Sequence, residues 1–525
     1  MSRPTAYVST PIYYVNGKPH IGHCYTTLVC DVWARFMRRA GRDVFFLTGT
    51  DEHGAKVEKA ATEHRMTPQA WADQNAAEFR RVLGMLDLTN DDFIRTTEPR
   101  HTRQVQTFVR RLLEKDAVYV GEFEGWYDQG QEEYYTETKA KDCNHVSPIS
   151  GRPLVRMTER NYYFRLSAFQ KPLEDLFASH PDFVRPEARR NEVLGRLREG
   201  LQDVPMSRTN FAWGIPMPDD AEHVIYVWID ALFNYITALG LGEPDGAVAG
   251  ARAKYWPAQY HVIGKEILWF HAVIWPAMLL ALDLPLPECV YAHSYWVMGG
   301  QKMSKSLGNI IDLEEIEHYL SIYGLDAWRY YMTTQGPLGV TDSTLSPERF
   351  HEVYTTDLVN TVGNCASRVT AMINKYFGGT LPADAAGDLH DHDWPAITRD
   401  AVATATEAMA AFDLAGAMDA AVGIVRRVDG FIHATEPFKL AKDPAQMETV
   451  GAILYRSLEA VRIASVLLEP TMPGRMASLG ASLGIEPSPD ATLDTLTAWG
   501  GLTPGATIEK TMLFPRIDAP ETAGA

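Results

Sequence analysis

The stretch Ala6-Tyr7-Val8-Ser9-Thr10-Pro11-Ile12-Tyr13-Tyr14-Val15-Asn16-Gly17-Lys18-Pro19-His20-Ile21-Gly22-His23 runs from a strand into the start of a helix. Ala6 to Thr10 has a strand pattern, and Pro11, with no N–H to donate, ends it. Beyond His23, Leu28, Val32 and Phe36 recur at four-residue spacing within Cys24 to Arg39, which puts them on one helix face. Gly41 supplies a helix stop, and Val44-Phe45-Phe46-Leu47 reads as a buried strand. Strand, helix and strand in this order make a βαβ unit. The His20–His23 loop and the loop Gly49-Thr50-Asp51-Glu52-His53-Gly54 then both follow carboxyl ends of parallel strands. In open α/β sheets that rim is where ligands bind.

The same grammar returns in Tyr260-His261-Val262-Ile263, the Gly264-Lys265 turn, a helix over Glu266 to Leu282, and a strand over Cys289 to Ala292. The predicted fold is α/β: a doubly wound, parallel-sheet, Rossmann-like domain in two halves, 1–116 and 223–295. An inserted α+β domain at 117–222, rich in Tyr, Glu and Arg, splits the halves. A short region, 296–345, leads to an all-α domain at 346–525, where Met418, Val422, Val425, Val428 and Ile432 form a helical core stripe.

A chain of 525 residues exceeds the size at which one hydrophobic core stops growing, so several domains are expected. Cys24, Cys30, Cys143, Cys289 and Cys365 are odd in number and scattered, which predicts a reduced, cytoplasmic protein without a disulfide framework. No basic segment followed by an apolar run opens the chain, so no signal peptide is expected. Ile267 to Leu282 contains His271 and Pro276 and is too short to span a bilayer, so no membrane partner is expected. The net charge of -18 argues against indiscriminate nucleic-acid binding. Phosphates would be met by local patches such as Arg185, Arg189, Arg190, Arg196 and Arg198, or Arg426 and Arg427, whose alternative is a solvated helix face.

Two loops carry the chemistry. A helix amino terminus presents unpaired N–H groups and a positive partial charge, which suits phosphate. Gly22, without a side chain, lets a flat base or ribose approach, and His20 and His23 offer imidazole N–H groups. Much later, Lys302-Met303-Ser304-Lys305-Ser306 lies between Gly299-Gly300 and Gly308. Its lysines are compact point charges able to meet a triphosphate without fixed planar geometry.

In this order the two loops resemble the signature sequences of class I aminoacyl-tRNA synthetases. The chain resembles methionyl-tRNA synthetases along nearly its whole length, through Thr10–Asn16 before His20, Gly49–Gly54, Tyr226-Val227-Trp228-Ile229-Asp230-Ala231 and His261–Lys265. The resemblance implies a methionine–tRNA ligase. Such an enzyme joins L-methionine and ATP, with Mg²⁺, into methionyl-adenylate, then passes the methionyl group to the 3' end of tRNA(Met). By resemblance, His20, His23, Lys302 and Lys305 are catalytic, and Tyr14, Gly22, Gly264, Lys265, Met303, Ser304 and Ser306 complete the ATP site. No general base is needed, because an α-carboxyl with a reference pKa of about 3.5 is already ionised. Catalysis is then positioning plus stabilisation of charge on the phosphates.

By the same resemblance, Ile12, Tyr14, Trp228, Tyr235, Ile267, Phe270, His271 and Trp275 line the methionine pocket, and Asp51 pairs with the ammonium. Sulfur packs well against aromatic rings, with Tyr14 and His271 offering weak polar contacts. From residue type alone, Asp51 reads as a helix N-cap and Trp275 as core. The insert has no room for a large editing domain, so a single sieve must suffice.

The chain departs from the family at two places. Many relatives carry a zinc knuckle in the insert, but here Asp128, Gln131, Ser147 and Ser150 occupy the ligand positions, with Cys143 and His145 an isolated pair. Without thiolates no structural zinc is expected, and hydrogen bonds and apolar packing, with Tyr134 and Tyr135, must hold the knuckle. In the helical domain Asn364 and Arg368 match the anticodon-reading pair, and Phe438 stands where the family commonly has tryptophan. Phe keeps a π-face for stacking a base. Its alternative is core packing. The chain carries no carboxy-terminal dimerising module, which predicts a monomer. Competing readings are another class I synthetase, such as a cysteine enzyme, and a non-catalytic tRNA-binding paralogue. The first lacks its thiolate-zinc pocket, and the second has no need of His20 and Lys305.

Overall fold

Seven parallel strands make the central sheet: β1 (Thr5–Ser9), β2 (Tyr13–Tyr14), β3 (Asp43–Asp51), β4 (Asp92–Arg95), β5 (Val184–Arg185), β6 (Tyr260–Gly264) and β7 (Cys289–His293). The structure is a computed structural model that describes residues 3–128, 133–135, 137–209, 211–243, 251–298, 301–302, 311–384, 392–486, 488 and 490–519. β3 pairs with β1 from Thr5↔Asp43 to Ser9↔Leu47 and then with β2 at Tyr13↔Thr50 and Tyr14↔Asp51. Pro11 interrupts that edge between β1 and β2 because it cannot donate to the ladder. On the far side of β3 lies β4, and on the other side of β1 lie β6, β7 and β5. The chain therefore winds outward from β1 to β4 and later returns beside β1 as β6. That reversal creates a crevice at the strand carboxyl ends, as the βαβ reading requires.

α1 (Ile21–Arg39) carries the predicted apolar stripe, but it is buried nearly all round rather than along one face. Its other side meets the helical region. There Asp31, fully buried, accepts from Arg329 at 2.7 Å and from Arg35 at 2.8 Å. Burial would raise the Asp31 carboxyl, but the two guanidinium groups hold it below its ordinary value. Arg329 also donates to the carbonyls of Leu86, Pro470 and Thr471. One buried arginine thus ties α1 to the helices behind it.

The helix expected over Glu266 to Leu282 is broken. A 3₁₀ turn (Lys265–Ile267) and a π turn (Phe270–Ile274) precede the α-helix Trp275–Ala281. Pro276 has no N–H to give and its ring crowds the preceding turn. The wider turn ahead of it accommodates both problems and shifts the register of Phe270 and His271.

Within the insert, Val118–Asp128 pairs antiparallel with Val155–Phe164, flanked by Glu133–Tyr135 and Val204–Pro205. β5, also inside the 117–222 range, returns to the central sheet. Beyond the sheet, Leu414–Thr435 packs against Trp394–Ala410 and Met447–Leu468. Its stripe Met418, Val422, Val425, Val428 and Ile432 is buried throughout, as its spacing predicts. No helix among the described residues is long and apolar enough to cross a membrane.

Candidate active site

α1 is capped by imidazoles. His20 is the N-cap, and its Nδ1 accepts the N–H of Gly22 at 3.1 Å. His23 reaches back, its Nδ1 accepting the N–H of His20 at 3.2 Å. Short oxygen-bearing side chains usually do this work. An imidazole that caps through Nδ1 carries its proton on Nε2 when neutral. The rings lie 3.9 Å apart. A Cβ on Gly22 would stand 3.0 Å from His20 Cε1, so glycine keeps the cap geometry possible.

Beside this cap, at the crevice between β1 and β6, is a cavity of about 390 Å³. Of the residues that the resemblance singles out, Ile12, Tyr14, His20, Gly22, His23, Asp51, Trp228, Tyr235, Gly264, Ile267 and His271 line it. Phe270, Trp275 and Lys265 do not. Phe270 stacks on Trp228 at 3.9 Å and supports the wall from behind. Trp275 is fully buried beneath Tyr235 and donates to His261 Nε2 at 3.3 Å, so the core reading of this residue prevails. Lys265 pairs with Asp342 at 2.7 Å.

The apolar end is closed by hydrogen bonds of fixed direction. His271 Nδ1 donates to the Ile267 carbonyl at 2.9 Å, so its Nε2 accepts the Tyr235 O–H at 2.8 Å. Burial pushes His271 down to about 4, keeping it neutral. Both of its nitrogens are engaged, so a sulfur at this end meets packing rather than a His271 donor. Beneath it, His261 Nε2 accepts from Trp275, and its Nδ1 bonds to Ser9 Oγ at 2.7 Å. Burial holds His261 well below its usual value, so it is a neutral strut between β1 and β6.

Asp51 ends β3 and faces the cavity. It is not a helix cap, because the next helix begins at Ala55 with Gly54 as N-cap. Its neighbours are pinned on both sides. Buried Glu52 accepts twice from Arg95, at 2.7 and 2.9 Å. His53 Nδ1 meets Asp230 Oδ2 at 2.7 Å, and the other Asp230 oxygen meets His101 Nε2 at 2.7 Å. Burial would raise Asp230, but His53 and His101 hold its carboxyl lower. The same carboxylate therefore braces the Asp51 loop against the Val227–Leu232 helix that carries Trp228.

Thr26, Lys56, Asn234, Glu266, His293 and Tyr295 also line the cavity and were not singled out from sequence. His293 sits at the carboxyl end of a predicted strand, so the rim rule could have found it. It donates from Nδ1 to Ser294 O at 2.7 Å and bonds through Nε2 to Thr26 Oγ1 at 2.8 Å. Burial lowers it to about 4.

The family model described as tRNA synthetases class I (M) matches residues 6–148 and 139–370. The methionine–tRNA ligase of Streptomyces coelicolor is 44% identical over 528 residues, covering 98% of this chain and 96% of the relative. That of Bacillus subtilis is 40% identical over 528 residues, covering 98% and 78%. The solved Mycobacterium tuberculosis methionyl-tRNA synthetase in complex with methionyl-adenylate superimposes with a TM-score of 0.89 at 35% identity, covering 98% of this chain and 100% of that one. The chain belongs to the class I methionyl-tRNA synthetase family.

Met303, Ser304, Lys305 and Ser306, central to this family's second signature, lie outside the described residues, as does Gln131. Of Lys302 only the backbone is described, paired opposite Val297. At the other knuckle positions of this synthetase, Asp128 Oδ1 accepts from Ser150 Oγ at 2.8 Å. Ser147 Oγ accepts the N–H groups of Ile149 and Ser150 at 3.2 and 3.0 Å. Neutral hydroxyls engaged this way do not fit a tetrahedral zinc site. Cys143 donates to Ala140 O, and the His145 ring lies against Trp126. Tyr135, Ala140 and Leu154 make a small core there.

In the helical region, Asn364 opens the helix Asn364–Phe377 and is exposed. Arg368 NH1 lies 3.8 Å from Asp429 Oδ1, on the helix that leads to Phe438. Phe438 is 43% exposed, which removes the core-packing alternative. The arginine stretch is largely tied inward: Arg189 donates to Ser294 Oγ and Val340 O, Arg190 to Phe177 O, and Arg196 stacks on Trp269.

Proposed function

We propose that this chain ligates L-methionine to tRNA(Met) in two steps, with ATP as its Mg²⁺ complex. The observation that carries the reading is the two-ended cavity. One end places two imidazoles at a helix amino terminus, and the other is an aromatic pocket closed by Tyr235 and His271. Asp51 stands between them for the substrate ammonium. Methionine's carboxylate then reaches the α-phosphate beside His20 and His23, while Lys302 and Lys305 meet the departing pyrophosphate. Asn364, Arg368 and Phe438 read the anticodon, with Phe438 stacking on a splayed base.

The working unit is a monomer. Five free cysteines, four of them buried, support a reducing, cytoplasmic setting. The knuckle works without zinc, held by its hydrogen bonds and its small apolar core. Elemental analysis of the purified protein should find no stoichiometric zinc, and one tightly held zinc per chain would reverse that reading. The function itself is tested by charging tRNA(Met) with radiolabelled methionine. Label that reaches tRNA only with ATP present supports it, and absence of any methionyl-tRNA rejects it.

A further inference from the structure

We propose that Lys56 is a catalytic residue of adenylation, its ammonium holding a non-bridging oxygen of the ATP α-phosphate as the carboxylate attacks. The inference rests on the proposed reaction and adds a residue to it. Lys56 shares the cavity with His20, His23 and Asp51. Among the described lining residues it is the only lysine or arginine, whereas Asp51 and Glu266 are acids. His271 and His293 are kept neutral by burial, at about 4 each. ATP and a carboxylate bring several negative charges into walls that are otherwise neutral or acidic. A cation is what these described walls lack without Lys56.

Its position argues against a merely structural lysine. Lys56 stands in the first turn of the helix Ala55–Glu63, where the aligned peptide dipoles disfavour a cation. It is exposed, and no carboxylate pairs with it among the described residues. Nearby lysines differ: Lys59 lies 3.8 Å from Glu63, and Lys265 lies 2.7 Å from Asp342. Asp51, the two histidines and Lys56 line one cavity, so a methionine whose ammonium pairs with Asp51 brings its carboxylate into the space that Lys56 borders.

In the step itself, a carboxylate oxygen forms the bond to the α-phosphorus. The bond from that phosphorus to the bridging oxygen breaks, and its electron pair leaves with pyrophosphate. No proton moves. Lys56 stays protonated and meets the charge that gathers on the phosphoryl oxygens, the kind of donor whose loss is felt in rate rather than in binding.

The test uses the full chain with Lys56→Ala, Lys56→Gln and Lys56→Arg, and compares single-turnover adenylate formation with methionyl transfer from pre-made methionyl-adenylate to tRNA. Ala and Gln should slow adenylate formation by about 10²-fold, with transfer within about threefold of wild type. Arg should retain more activity than Ala, and added ethylammonium should restore part of the Ala rate. Adenylation within about threefold of wild type in both Ala and Gln would overturn the proposal. So would equal loss in both steps with a lowered thermal midpoint, which would make Lys56 a structural residue. A wild-type chain that forms no methionyl-adenylate would overturn the reaction itself, a failure told apart because it precedes any substitution.

Discussion

The two ends of the cavity are built on opposite plans. At the apolar end a chain of hydrogen bonds fixes the wall: Tyr235 donates to His271, His271 to Ile267 O, and Trp275 to His261. At the phosphate end the histidines are locked by the α1 cap, but Lys56 is exposed on a helix start with no carboxylate paired to it among the described residues. The difference follows from the chemistry each end serves. Selecting a side chain by shape needs a wall that does not move. Stabilising a phosphoryl group as its charge redistributes needs cations that can follow it, and lysine is suited to that.

The sharpest way to break the comparison is at the phosphate end. Lys305→Ala should slow adenylation by about 10²–10³-fold while leaving methionine affinity nearly unchanged. Near-normal single-turnover adenylate formation in that variant would show that Lys305 does not serve this step. Between the ends, Asp51→Asn should weaken methionine by about 2 kcal/mol or more and ATP far less, as expected when a charge partner is neutralised. Equal weakening of both substrates would mean that the loop, rather than the ammonium contact, had been damaged.

Far from both ends, Phe438→Ala should cost about 1–3 kcal/mol in tRNA charging and spare pyrophosphate exchange. Loss of both would return Phe438 to a folding role. The buried histidines of the cavity also predict a pH response. His271 and His293 are neutral down to about 4 in the folded chain, whereas unfolded histidine protonates near 6.5. Between those values the unfolded state binds more protons, so stability falls as the pH falls from about 6.5 to about 4. Each histidine contributes at most about 1.4 kcal/mol per pH unit. Urea midpoints measured at pH 7 and pH 5 should differ in that direction, and His271→Gln should shrink the difference. A flat profile would contradict the neutrality of His271 and His293 in the folded chain.

What the sequence made legible was local. Strand and helix patterns around His20–His23 identify the βαβ unit, and the rim rule then places both loops at strand carboxyl ends. The stripe on Leu414–Thr435 was readable because its spacing repeats. The rest depended on distance or on context. Asp31 meets Arg329 across 298 positions, which no local pattern encodes, so α1 reads as amphipathic although it is buried on both sides. Pro276 was visible, but the π turn that absorbs it was not. Trp275 has the residue type of a pocket wall and of a core equally, and only packing separates them. Lys56 escaped notice because a lysine at a helix start looks like any solvated charge until the cavity is seen beside it.

The central claim is that this cavity activates methionine. ATP–pyrophosphate exchange with a panel of amino acids tests it most directly. Exchange driven by methionine, and much less by leucine, isoleucine, valine or cysteine, is the predicted result. Exchange driven by another amino acid in preference to methionine would contradict the account.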